Sequence, residues 1–146
     1  MNQRQKHPDK KNAQSILDAS EKQMNYTLTL NSSDDSAFNI IRNIYECFRM
    51  LGDALLISKG IVSVEHISQI KEIENLNVKI ERPIKLVDNL RRMRHNINYY
   101  GYTPKKIEAD DAINFAKKCF KPLLEEVRKI IELKDTKRLS NEQEKK

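Results

Sequence analysis

Arg91, Arg94, His95 and Asn98 recur at three- and four-residue steps, the spacing that lines side chains along one face of an α-helix. Arginine holds phosphate oxygens in a planar fork, and imidazole gains or loses a proton near neutral pH. Tyr99, Tyr100 and Tyr102 follow directly and offer rings on which bases can stack. Together these residues point to contact with the phosphates and bases of RNA. The same residues also admit a purely structural account. Cations near a helix C-terminus bond its last carbonyls and oppose its dipole, and tyrosines beside a turn cover a core edge with their hydroxyls in water.

The distribution of charge bears on this choice. The chain carries a net charge of +6 over 146 residues. Arg4, Lys6, Lys10 and Lys11 against Asp9 make residues 1–12 basic, and residues 134–146 also carry a net positive charge. Between these ends the charge is concentrated. Lys79, Arg82, Lys85, Arg91, Arg92, Arg94, Lys105 and Lys106 face only Glu81 and Asp88 within residues 79–106, and the rest of the body is acidic. A localised basic segment hints at a polyanion more strongly than a high isoelectric point does; the alternative is a solvated helix face.

Helices must position the cluster. With 33% charged residues, three glycines and four prolines, the composition fits long amphipathic helices rather than many short strands. The alternating run Tyr26-Thr27-Leu28-Thr29-Leu30 is too short to found a sheet. Residues 1–12 and 135–146 are polar and without periodicity and read as disordered tails around one domain over 13–134. Five helices are expected. The first spans about 12–30, with Ile16, Ala19, Met24 and Leu28 as a weak apolar stripe. The second spans about 33–59, with Ala37, Ile40, Ile41, Ile44, Phe48, Leu51, Leu55 and Leu56 inward, and Gly60 ends it. A short third helix over 64–75 carries Ile67, Ile70 and Ile73. The fourth has Pro83 in its first turn and a stripe of Leu86, Leu90, Met93 and Ile97, and Gly101 ends it. The fifth spans about 108–133, with Ala112, Ala116, Phe120, Leu123, Val127, Ile130 and Ile131 inward and a kink expected near Pro122. The expected fold is an all-α, up-and-down bundle.

Other chemistry finds little support in the residues. Cys47 and Cys119 lie on apolar helix faces and read as buried thiols in a reducing compartment. His7, His66 and His95 are scattered and no acids cluster with them, so neither a metal site nor a cofactor is expected. His66, near the start of a short helix, reads as a surface or packing residue. No apolar run is long enough to span a bilayer and no secretory leader is recognisable at the N-terminus, so a cytoplasmic location is expected.

Residues 37–131 resemble the HEPN superfamily of helical bundles. The likeness rests on a long second helix ending Asp53-Ala54-Leu55-Leu56-Ile57-Ser58-Lys59-Gly60, and on His66 opening a short helix. It continues through Leu90-Arg91-Arg92-Met93-Arg94-His95, a Tyr-Gly turn and a long closing helix. The resemblance implies a homodimer that pairs two copies of the signature helix, an RNA ligand, and a nucleotidyltransferase partner in a toxin–antitoxin pair. In active members it implies metal-independent RNA cleavage, in which an arginine stabilises charge on phosphorus and a histidine four to six residues beyond moves protons. Arg94-His95 matches the first half of that signature. Tyr99 stands where the histidine belongs, and no histidine follows it. A phenol of pKa about 10 is a poor base at neutral pH.

Binding is therefore favoured over catalysis, with Arg91, Arg94, His95, Asn98, Tyr99, Tyr100 and Tyr102 as the contact set. A variant endoribonuclease using Arg94, His95 and Tyr99 is the second reading. A protein-interaction domain without a nucleic-acid role is the third, and it expects the stripe Arg91, Arg94, His95 and Asn98 to be tied into intramolecular salt bridges, for example with Glu46 or Asp53 of the long second helix.

Overall fold

Ile40, Ile41, Ile44, Tyr45, Phe48, Leu51, Leu55 and Leu56 lie on more than one side of a single helix, so that helix must be covered from several directions. The computed structural model describes the backbone of residues 3–5 and 7–144 and the side chains of residues 7–133. It is an all-α bundle of five helices: α1 (Lys10–Thr27), α2 (Ala37–Ser58), α3 (His66–Glu74), α4 (Leu86–Tyr100) and α5 (Lys106–Glu144). The apolar α2 is central and touches each of the other four. Phe48 anchors the core, its ring 5.1 Å from Phe115 and 5.3 Å from Phe120 of α5. Among the described residues no helix is long and apolar enough to cross a membrane.

Both ends differ from the expected tails. Gln3–Gln5 forms a short strand, β1, antiparallel to β2 (Ile61–Ser63), with Arg4 opposite Val62. Strand pairing uses backbone groups and needs no apolar pattern, so hydropathy gives no sign of it. α1 starts at Lys10 because Asp9 caps it, accepting from the Asn12 N–H at 2.9 Å, while the Asp9 N–H donates to the Ile57 carbonyl at 3.2 Å. At the other end α5 runs on to Glu144, since Lys, Glu, Arg and Leu sustain a helix after its apolar stripe has ended. Residues 1, 2 and 6 of the expected N-terminal tail, and 145 and 146 of the C-terminal one, lie outside the described residues.

The inward face of α1 is also not the expected one. Ala13, Leu17, Ser20, Met24 and Thr27 are buried, whereas Ala19 is exposed and Ile16 and Leu28 are only partly covered. Two hydroxyls enter the core because each is satisfied there. Ser20 Oγ donates to the Cys47 carbonyl, and Thr27 Oγ1 to that of Gln23, each at 2.8 Å.

Pro83 precedes α4 rather than opening it. A turn over Pro83 to Lys85 leads in, its carbonyls accepting from the Leu86, Val87 and Asp88 N–H groups. α4 buries Val87, Leu90 and Ile97, with Leu86 and Met93 partly covered. It ends at Gly101, whose φ of 64° suits glycine, with the Tyr102 N–H returning to the Asn96 carbonyl at 3.2 Å. α4 packs on α2 and α3, which sets its polar stripe beside the polar edge of α2. Pro122 lies inside α5.

Candidate functional site

The stripe on α4 does not act as one unit. Arg91 and Arg92 both bond Asp88, at 2.8 and 3.0 Å. Arg94 is half-buried and makes no hydrogen bond or salt bridge with any described residue. It lines a polar hollow of about 380 Å³ with Asn39, Arg42, Asn43 and Glu46 of α2. Glu46 does not neutralise it, because Glu46 is held by Arg49, which also reaches Asp53 at 3.4 Å. Arg42 lies over the Phe38 ring at 5.1 Å and forms no ion pair with any described residue. The hollow therefore joins two uncompensated guanidinium groups to two amides able to donate hydrogen bonds.

Further along α4, its aromatic residues form a ledge. The His95 ring lies 4.6 Å from Tyr99 and 5.8 Å from Tyr100, and the two tyrosines are 70% and 76% exposed. Rings of that size so open to water, and locked against a neighbour, make a stacking surface. Asn98 is exposed on the same helix.

Tyr102 belongs elsewhere. Its hydroxyl donates to Glu108 at 2.7 and 2.9 Å, which raises its pKa, and it borders a separate hollow toward α5 with Asn89, Arg92, Met93 and Asn96. Among the expected contact residues, the structure thus groups Arg94 with α2 and His95 with Tyr99 and Tyr100, while Arg91 is paired and Tyr102 is turned away.

His66 is not a simple packing residue. As the first residue of α3, it sets Nδ1 2.8 Å from the Tyr45 hydroxyl, with the two rings stacked at 5.7 Å. Burial pushes the Tyr45 phenol up to about 12, so it stays protonated. Burial also lowers the His66 pKa, and Arg49 and Arg94 lower it further, against a smaller opposing pull from Glu46 and Asp53. The imidazole is therefore neutral at pH 7. Asn39, Arg42, Asn43 and Tyr45 had no place among the expected site residues. Asn39, Arg42, Asn43 and Glu46 do recur at three- and four-residue steps, a polar edge that can be read from the sequence once α2 is known to face α4. Among the described residues, no three of His, Cys, Asp and Glu are placed to hold a metal ion.

The lowered His66 pKa has a consequence for stability. Folded protein takes up this proton less readily than unfolded chain, so the contribution is complete above the ordinary value of 6.5 and is lost as pH falls below it. Thermal melts between about pH 7.5 and about pH 5.5 should show a falling Tm, and His66→Gln, with nothing to titrate there, should fall less over that interval. Equal slopes for the two proteins would contradict this assignment.

Comparison with family models, with curated proteins and with solved structures finds no match to this chain.

Proposed function

We propose that this chain is a HEPN-like, dimeric module that binds single-stranded RNA through the α2–α4 hollow and the aromatic ledge of α4. In this reading it is the helical component of a toxin–antitoxin pair with a nucleotidyltransferase partner. The observation that carries the RNA reading is the unpaired, half-buried Arg94 beside Arg42 and an exposed His95–Tyr99–Tyr100 stack. Leaving a guanidinium partly desolvated with no acid bonded to it is costly unless an anion visits. Phosphate beside stackable rings is the signature of a nucleic-acid strand, and the ledge requires unpaired bases. The interaction-domain reading expects the stripe to be tied into intramolecular salt bridges; Arg91 is, to Asp88, but Arg94 is not paired with any described residue, and Glu46 and Asp53 are engaged by Arg49.

Fluorescence anisotropy with a labelled single-stranded RNA tests the proposal. Binding is expected at about 50 mM salt, weakened about 10-fold or more by Arg94→Ala. Arg91→Ala should cost less, because Asp88 already holds that side chain. Absence of binding at low salt, or an Arg94→Ala variant that binds like wild type, rejects it. Light scattering checks the dimer: a mass of a single chain at working concentration removes that part of the reading.

A further inference from the structure

The geometry points to Glu46 as the residue that tells RNA from DNA at the α2–α4 hollow, by accepting a hydrogen bond from the ribose 2′-hydroxyl beside a bound phosphate. The inference rests on the RNA-binding reading and names the sugar that the same hollow selects. Glu46 lines the hollow with Arg94 of α4 and with Asn39, Arg42 and Asn43 of its own helix.

A carboxylate in the wall of a phosphate-binding hollow works against it, because it repels the anion that the two guanidinium groups attract. Those guanidinium groups only donate hydrogen bonds and the two amides can do either, whereas Glu46 only accepts. Its side chain is fixed and yet open. Arg49 Nε donates to Oε1 at 2.8 Å, Arg49 Nη2 reaches the same oxygen, and Oε2 bonds no described residue. Arg42, one helical turn before Glu46, is not bonded to it. At 43% exposure the side chain remains accessible to a ligand in the hollow.

Ribose suits this arrangement and deoxyribose does not. The 2′-hydroxyl sits on the carbon next to the one whose oxygen carries the 3′-phosphate, so a donor accompanies each phosphate along an RNA strand. With the phosphate on Arg42 and Arg94, that donor makes a charge-assisted bond to Oε2. In DNA the same place holds only C–H, and the carboxylate is left partly desolvated against an anion with nothing donated to it. The guanidinium groups thus set the affinity for phosphate, which both kinds of strand share, and Glu46 sets the choice of sugar.

The test measures binding of RNA, DNA and 2′-fluoro RNA of one base sequence, built from A and C alone, to the full chain at about 50 mM salt. The fluorinated sugar keeps the pucker of ribose but cannot donate a hydrogen bond. Wild type should bind RNA about 10-fold or more tighter than either of the other strands. Glu46→Ala should bring RNA affinity down to that of DNA, and DNA affinity should not fall, since a repelling charge has gone. Loss of both affinities alike would mark a role in folding alone and overturns the inference. A preference that survives Glu46→Ala overturns it too, as does a 2′-fluoro strand bound like RNA, which would trace selection to sugar pucker. If Glu46→Ala loses its fold, the 2′-fluoro strand on wild type decides. Failure of every strand to bind sinks the RNA reading itself, whereas equal binding of RNA and DNA by wild type sinks only the role of Glu46.

Discussion

Gly52→Ala is expected to lose about 3 kcal/mol or more of stability and to lower Tm by about 10 °C or more. In an isolated helix this change would stabilise by up to about 1 kcal/mol, so packing alone decides the sign. A Cβ at residue 52 would overlap the Gln69 carbonyl oxygen and stand 2.6 Å from its carbon and 2.8 Å from its Cα. Backbone cannot turn aside as a side chain does, so α3 would have to withdraw from α2. That movement pulls on the bonds from Gln69 Nε2 to the Ser63 carbonyl at 3.0 Å and to Asp53 at 3.3 Å. It also carries His66 away from Tyr45. Gly101→Ala is the matching control: nothing lies within 4 Å of a Cβ there, and the cost is only that of a left-handed φ, about 1 kcal/mol. Melts of the two variants against wild type check the ranking, and equal losses would show that α2 and α3 do not approach as described.

The double variant Arg42→Ala/Arg94→Ala should weaken binding of single-stranded RNA by about 100-fold or more, from roughly 1.5–3 kcal/mol for each charge-assisted contact. The salt dependence discriminates better than affinity alone. Each phosphate neutralised on a single strand contributes about 0.7 to the slope of log affinity against log salt, so losing two contacts should flatten it by about 1.4. Arg92→Ala provides the contrast, because Arg92 is exposed and already bonded to Asp88 at 3.0 Å. Titrations at several salt concentrations separate the outcomes: an unchanged slope in the double variant would remove the hollow from the interface.

The framework of helices was readable because burial repeats with helical period. In α2, where every expected inward residue is buried, the pattern is dense enough to leave one solution. α1 was harder, since Ser20 and Thr27 count as polar by type yet are buried through bonds to carbonyls. The acids between α1 and α2 show the same limit. Asp34 and Asp35 stand where acids suit the first turn of the helix that follows, but Asp34 instead accepts from the Lys106 N–H at 2.8 Å and caps α5. A capping residue declares that it seeks an N–H group, not which helix supplies it.

The candidate site divides along the same line. The Arg94–His95 segment and its tyrosines stood out by residue type and local spacing, which are properties of one helix. Whether each cation was free depended on acids elsewhere in the chain. Arg91 has Asp88 one turn away, a pairing visible in the sequence, but Arg94 is free because Arg49 holds Glu46 and Asp53. His66 is 21 residues from Tyr45, and only the packing of α3 on α2 brings them to 2.8 Å. The sequence by itself determined an all-helical chain with a basic, aromatic segment on α4, because periodicity and composition are local. Tertiary structure alone decided which guanidinium stays unpaired and which imidazole is oriented and neutral, because charge compensation and desolvation depend on neighbours that the chain brings from afar.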